Sequence, residues 1–123
     1  MPNILIAEDS EINQKLIAHL FHRMGYQFTI VDDGAKAVAA AREAKYDFIF
    51  MDILMPVKTG LQAAKEIVAQ YPSGTCPIIV ALTANSEEAD RQDCIEAGMQ
   101  EFLTKPIQMS DVKCLIDKYS KSN

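Results

Sequence analysis

The chain has 123 residues, of which 49% are apolar and 24% charged, and carries a formal charge of −5. That length suits one domain with one core. The acidic balance and scattered Lys and Arg argue against direct nucleic-acid binding, and no apolar run approaches the roughly 20 residues a membrane helix needs.

Asn3 to Ala7 opens the chain with an apolar run, the mark of a strand buried on both faces. Ser10 can cap the helix that follows, and Ile12, Leu16, Leu20 and Met24, with Ile17 and Phe21, are predicted to form its one apolar stripe. Gly25 fits the stop. Tyr26 to Val31 is rich in strand formers, and Asp32-Asp33-Gly34 opens an alanine-rich helix to about Ala44. Asp47 to Asp52 is the third strand. A helix from about Lys58 to Tyr71 should bury Leu61, Ala64, Ile67 and Val68, and Pro72-Ser73-Gly74 ends it. Pro77 to Leu82 is the fourth strand. Asn85 and Glu88 resemble a capping box for a helix from about Ser86 to Ala97, closed by Gly98 and held mainly by Ile95 with Cys94 and Ala89. Gln100 to Thr104 is a short fifth strand. Ser110 is expected to cap a last helix with Val112, Leu115, Ile116 and Tyr119 inward, and 120–123 reads as a polar tail after a domain at 1–119.

Strand and helix alternate about five times, which predicts an α/β fold: a parallel sheet with helices on both faces and right-handed crossovers. No basic start and long apolar stretch suggests a signal peptide. Cys76, Cys94 and Cys114 form no C-x-x-C pair or Cys/His cluster, so reduced thiols in a cytoplasmic protein are expected.

The polar residues are informative by position. Glu8 and Asp9 follow the first strand, Asp52 ends the third, Thr83 ends the fourth and Lys105 follows the fifth. All five fall at carboxyl ends of parallel strands, the edge where open α/β sheets bind ligands. An acidic pair after a strand can also merely cap a helix. In the strand order 2-1-3-4-5, borrowed from flavodoxin-like folds, the first and third strands are neighbours and the three carboxylates converge. Such a cluster must take up a proton or hold a cation. All-oxygen donors without His or Cys suit Mg²⁺. Asp52 could then act as nucleophile toward a phosphoryl group, with Lys105 and Thr83 meeting its oxygens.

These residues carry a family resemblance. Ile4-Leu5-Ile6-Ala7-Glu8-Asp9-Ser10 resembles the opening of response-regulator receiver domains. Met51-Asp52-Ile53-Leu54-Met55-Pro56-Val57-Lys58-Thr59-Gly60 resembles their phosphoacceptor block, and Pro77 to Ala84 their fourth-strand block. Ala97-Gly98-Met99, then Phe102-Leu103-Thr104-Lys105-Pro106, resembles the fifth-strand block. Four blocks in order make the resemblance specific. It implies a single doubly wound (βα)5 flavodoxin-like domain of order 2-1-3-4-5 that accepts a phosphoryl group on Asp52. It further implies Mg²⁺ bound by Asp9, Asp52 and the backbone carbonyl of Leu54, with Glu8 acting through a metal-bound water. Thr83 and Lys105 would contact the phosphoryl group, Phe102 would be the switch aromatic, and Lys105-Pro106 would be cis.

The implied phosphodonor is a histidine kinase or histidine phosphotransfer domain, docking beside the helix after Ser10. The implied output surface is the Ser86–Ala97 helix with the fifth strand and last helix. Glu8-Asp9, Asn13 and Leu82-Thr83-Ala84-Asn85 resemble receivers of hybrid sensor kinases, so fusion to a larger kinase is one possibility. Such a domain signals and is not an enzyme, though it takes part in its own phosphorylation and dephosphorylation. Departures from the family pattern are Thr59 before the Gly, apolar Leu54, and Phe102 without the commoner tyrosine's hydroxyl. Three other functions compete. An aspartyl-phosphate phosphatase or phosphotransferase of the haloacid dehalogenase type would carry an acid where Leu54 stands. A flavodoxin-like cofactor module would need a phosphate loop where Glu8-Asp9-Ser10-Glu11 would repel one. A phosphorylation-independent pseudo-receiver would usually have lost an acid or the lysine.

Overall fold

Apolar runs buried on both faces become the three central strands, less buried runs the two edge strands, and segments with helical periodicity cross over between them. The structure is a computed structural model that describes residues 3–53, 59–71, 76–83, 88–105 and 107–120. Its elements are β1 (Ile4–Ala7), α1 (Glu11–Arg23), β2 (Phe28–Val31), α2 (Gly34–Glu43), β3 (Phe48–Asp52), α3 (Gly60–Ala69), β4 (Ile78–Thr83), α4 (Glu88–Glu96), β5 (Glu101–Thr104) and α5 (Met109–Ser120). The strands form one parallel sheet of order β2-β1-β3-β4-β5, as expected.

The two-residue period of a strand sorts the core into two layers. Leu5, Ala7, Ile49, Met51, Ile79 and Ala81 face α2, α3 and the end of α4, where Ala37, Ala41, Ala64, Ile67 and Cys94 meet them. Ile4, Ile6, Phe48, Phe50, Val80 and Leu82 face α1 and α5, through Ile17, Phe21, Val112, Leu115 and Ile116. On that face the Phe21 and Phe50 rings meet edge-on, centroids 5.1 Å apart.

Local sequence fixes most helix ends. Ser10 accepts from the Asn13 N–H, and Asp33 from Lys36. Thr59 and Gln62 make a reciprocal capping box, so α3 starts at Gly60, just past the expected Lys58. Helix α5 starts at Met109, which puts Ser110 in its first turn instead of at the cap. Gly25 (φ +81°) and Gly98 (φ +98°) follow α1 and α4 in the left-handed region that glycine tolerates. The expected Pro72-Ser73-Gly74 stop, the Asn85 cap with the Ser86 helix start, the cis bond to Pro106 and the last three residues of the tail lie outside the described residues.

Two expectations about packing change. The apolar stripe of α1 splits: Ile17 and Phe21 are buried, whereas Ile12 is 73% and Leu16 62% exposed. Ile17 and Phe21 sit one helical turn apart and centre the helix on the sheet, which turns Ile12 and Leu16 to the flank. In α4, Ile95 is 54% exposed, and the contact with the sheet comes from Cys94, with Ala97 just after the helix. None of the three cysteines is in a disulfide.

The end of α5 is tied to β5. Lys118 Nζ lies 2.8 Å from Glu101 Oε2, and the Tyr119 hydroxyl donates to the same oxygen. Burial would push the Glu101 carboxyl up, but these two hydrogen bonds outweigh it and hold it below the usual carboxylate range. Burial and the Glu101 carboxylate push the Tyr119 phenol up to about 12. A raised phenol pKa means that folding favours the neutral form. The stabilisation is complete below the ordinary tyrosine value of about 10 and is lost as pH rises through about 12. Tyr119→Phe is expected to lower the unfolding free energy by about 1 kcal/mol near neutral pH. Denaturant melts should show the gap to the parent closing between about pH 10 and 12; a gap that widens there refutes the assignment.

Candidate functional site

Parallel pairing aligns the strand ends that carry the polar residues. Ala7 is level with Met51, so Glu8 and Asp52 come level one residue further on. The strand period also places Glu8, Asp52 and Lys105 on the α1–α5 side of the sheet, continuing Ile6, Phe50 and Leu103. Glu8 is fully buried and Asp52 7% exposed, the two buried charged residues among those described. Asp9 lies at the surface beside them. Each of the three acids offers an oxygen within 4.8 Å of the others.

Lys105 bridges the buried pair. Its Nζ is 2.8 Å from Asp52 Oδ2 and 2.9 Å from Glu8 Oε1. Burial alone would push the ammonium down, but the hydrogen bonds and charges of Asp52 and Glu8 outweigh it and hold it above the ordinary lysine value. The contact with Asp52 is a hydrogen bond. That with Glu8 is an ion pair, and among the described residues buried Glu8 Oε1 meets no donor besides Lys105. Its other oxygen, Oε2, accepts from the Ser10 N–H at 3.1 Å.

The remaining expected residues lie close by. Thr83 ends β4 half-buried, and its carbonyl accepts from the Lys105 N–H at 2.8 Å. The strand period puts Thr83 on the opposite, α4-bearing face with Ala81, whose partner across the ladder is Phe102. Phe102 is half-buried in that layer. Leu54, the expected carbonyl ligand, lies outside the described residues.

An oxygen-only donor set of three converging carboxylates fits a small hard cation such as Mg²⁺. Three carboxylates against one ammonium leave the group negative, which a divalent ion would offset.

Sequence reading did not find three features. Gln14 Nε2 donates to the carbonyl of Glu8 at 2.6 Å. Gly60 gives its N–H to the Ile53 carbonyl at 2.8 Å, and a Cβ there would stand 2.2 Å from the carbonyl oxygen of Asp52. The resemblance placed Gly60 in the phosphoacceptor block; the reason for a glycine is this close approach of α3 to the end of β3. Third, a groove of about 310 Å³ runs from Glu8 and Lys105 along α1, lined by Asn13, Leu16, Leu20 and Met109 among others.

A 2-1-3-4-5 parallel sheet whose strand ends gather three acids and a lysine has the architecture of a receiver-type α/β domain. The family model for the response regulator receiver domain matches residues 4–117, and the chain belongs to that family of histidine–aspartate phosphorelay signalling domains. The chain is 38% identical over 119 residues to hybrid signal transduction histidine kinase B of Dictyostelium discoideum, covering 89% of this chain but only 6% of that protein. Among solved structures it resembles the receiver domain of sensor histidine kinase PA1611 from Pseudomonas aeruginosa PAO1, which has a magnesium ion coordinated in its active-site cleft. That likeness has a TM-score of 0.86 and 38% identity, and covers 95% of each chain. It also resembles a chain in the complex of the Saccharomyces cerevisiae histidine phosphotransfer protein Ypd1 with the receiver domain of Ssk1. There the TM-score is 0.82 and the identity 30%, covering 91% of this chain and 83% of that one. No described helix is long and apolar enough to cross a membrane.

The Gly60 contact yields a direct test. Gly60→Ala forces a methyl group against the Asp52 carbonyl and is expected to cost about 1–3 kcal/mol of unfolding free energy. The backbone amide resonances of 52 and 53 should shift in its NMR spectrum. Unchanged stability together with unchanged shifts would show that the approach is looser than the structure has it.

Proposed function

We propose that this domain accepts a phosphoryl group on Asp52 in a Mg²⁺-dependent reaction and uses it to switch a partner or an attached output. The observation that carries the reading is the bridge from Lys105 to both Glu8 and Asp52 beside exposed Asp9. Asp9 and Asp52 would hold the metal, with Glu8 acting through water and the Leu54 carbonyl as a further ligand. When bound, the ion neutralises the acids and draws charge from the transferring phosphoryl group.

The protein's own part is positioning. An Asp52 carboxylate oxygen attacks phosphorus, an oxygen–phosphorus bond forms, and the bond to the donor's histidine nitrogen breaks. The imidazole leaves with the electron pair and takes a proton, and Asp52 becomes an acyl phosphate. Lys105 then exchanges an Asp52 oxygen for a phosphoryl oxygen, a short movement for an ammonium already within 2.8 Å. Thr83 offers its hydroxyl to another. Because the phosphoryl group brings charge and acceptors that Asp52 alone lacks, it can bias a two-state element. Thr83 and Phe102 share the α4 face and would carry the change to the surface of α4, β5 and α5.

The phosphodonor is a histidine kinase or histidine phosphotransfer domain. Exposed Ile12 and Leu16 and the groove beside them lie on α1, next to the acids, and make this face the docking surface. The Ypd1 complex shows that a related receiver is bound by a phosphotransfer protein. Residues 1–119 constitute the receiver unit, working in the cytoplasm, either alone or as part of a hybrid kinase.

Incubation with acetyl phosphate and Mg²⁺ should add the mass of one phosphoryl group, visible by intact mass spectrometry. The gain should vanish in Asp52→Asn and when EDTA replaces Mg²⁺. A gain that persists in Asp52→Asn would overturn the reading. Leu16→Glu should slow transfer from a phosphohistidine donor by 10-fold or more, about 1.4 kcal/mol or above. Its labelling by acetyl phosphate should stay at the parent level; equal loss with both donors would place Leu16 in the fold and not in docking.

A further inference from the structure

Of the three acids Asp9 alone is exposed, so packing of its side chain does little to aim it and the backbone must do so. That backbone is held at two points. The Glu8 N–H donates to the Val31 carbonyl at 3.0 Å, the last rung between β1 and β2. The Glu8 carbonyl, which belongs to the peptide leading into Asp9, accepts from Gln14 Nε2 at 2.6 Å. The backbone of Gln14 is itself held: its N–H donates to the Ser10 carbonyl at 2.8 Å in the first turn of α1, whose cap is the Ser10 side chain. The Ser10 N–H in turn meets Glu8 Oε2. The elbow from Glu8 to Ser10 is therefore fastened to the start of α1, and Gln14 fixes the plane of the Glu8–Asp9 peptide.

We propose that Gln14 is a positioning residue for the divalent-cation site: by holding the Glu8 carbonyl it sets the direction of the Asp9 carboxylate. The inference rests on the metal-dependent reading above and deepens it. Gln14 touches neither the ion nor the phosphoryl group. Outer partners of metal ligands usually matter to affinity by 10- to 100-fold, because they remove the freedom the ligand would otherwise have to lose on binding.

The test titrates Mg²⁺ into ¹⁵N-labelled protein and follows the amide shifts of 8–10 and 52–53. Gln14→Met keeps length and helix preference but removes the donor. It should raise the Mg²⁺ midpoint about 10-fold. Gln14→Ala leaves room for a water to reach the Glu8 carbonyl and should raise it less. The extent of labelling by acetyl phosphate at saturating Mg²⁺ should match the parent in both, since Asp52 and Lys105 are untouched. A merely structural role would lower the melting temperature without moving the midpoint, and that result overturns the proposal. So do parent-like midpoints in both variants while the parent binds Mg²⁺. A parent chain that ignores Mg²⁺ removes the functional reading and this inference with it.

Discussion

Two carboxylates buried side by side are the constraint around which the rest of the molecule is arranged. Glu8 has no exposed surface and Asp52 very little, and each would lose several kcal/mol of hydration as an ion without a partner. Parallel pairing of β1 with β3 forces them to the same level, and the strand period forces them to the same face. Lys105, delivered from β5 across the width of β4, is what makes the pairing tolerable. Among the described residues one ammonium faces three acids and cannot balance them all. A site left short of positive charge in this way fits the divalent ion and the phosphoryl group that the proposed function requires.

The acids and the lysine side chain belong to the α1–α5 face, while Thr83 and Phe102 belong to the other. Under the proposed function, a change at Asp52 would reach the second face through the sheet itself. Lys105 is the joint: its ammonium holds the acids on one side, and its backbone N–H holds the Thr83 carbonyl. In the proposed reaction, drawing Lys105 from a carboxylate to a phosphoryl oxygen would therefore pull on the end of β4 as well as β5. No long wire of side chains is needed.

The sheet was legible because buried parallel strands are written as unbroken apolar runs, and the site because its polar residues each close one of those runs. What could not be read is what depends on approach between distant segments. Gly60 reads as a residue near the start of a helix and in the phosphoacceptor block, but the reason for a glycine appears only when α3 is seen pressing on the Asp52 carbonyl. Gln14 looks like a solvated helix residue until its amide is found six residues back. Ile12 and Leu16 misled for a different reason: helical periodicity reports that a side chain is apolar, not whether this domain or a partner covers it. Ser110 shows that a good capping residue does not cap when the chain enters the helix earlier.

Packing also separates the two helices of the proposed output surface. Helix α5 is anchored by Val112, Leu115 and Ile116 in the core and by the Glu101 clamp at its end. Among its described side chains, α4 buries Cys94 and leaves Ile95 outside, with Ala97 just beyond it also buried. Small side chains bury little area, so by its described side chains α4 is less firmly packed than α5. The clamp raises that difference further, since Glu101 stands next to Phe102 and holds the strand to α5. Under the proposed function, strain arriving at Thr83 and Phe102 would be relieved by movement of α4 over the β5–α5 edge, and a partner that reads the phosphorylated state would read chiefly the position of that one helix.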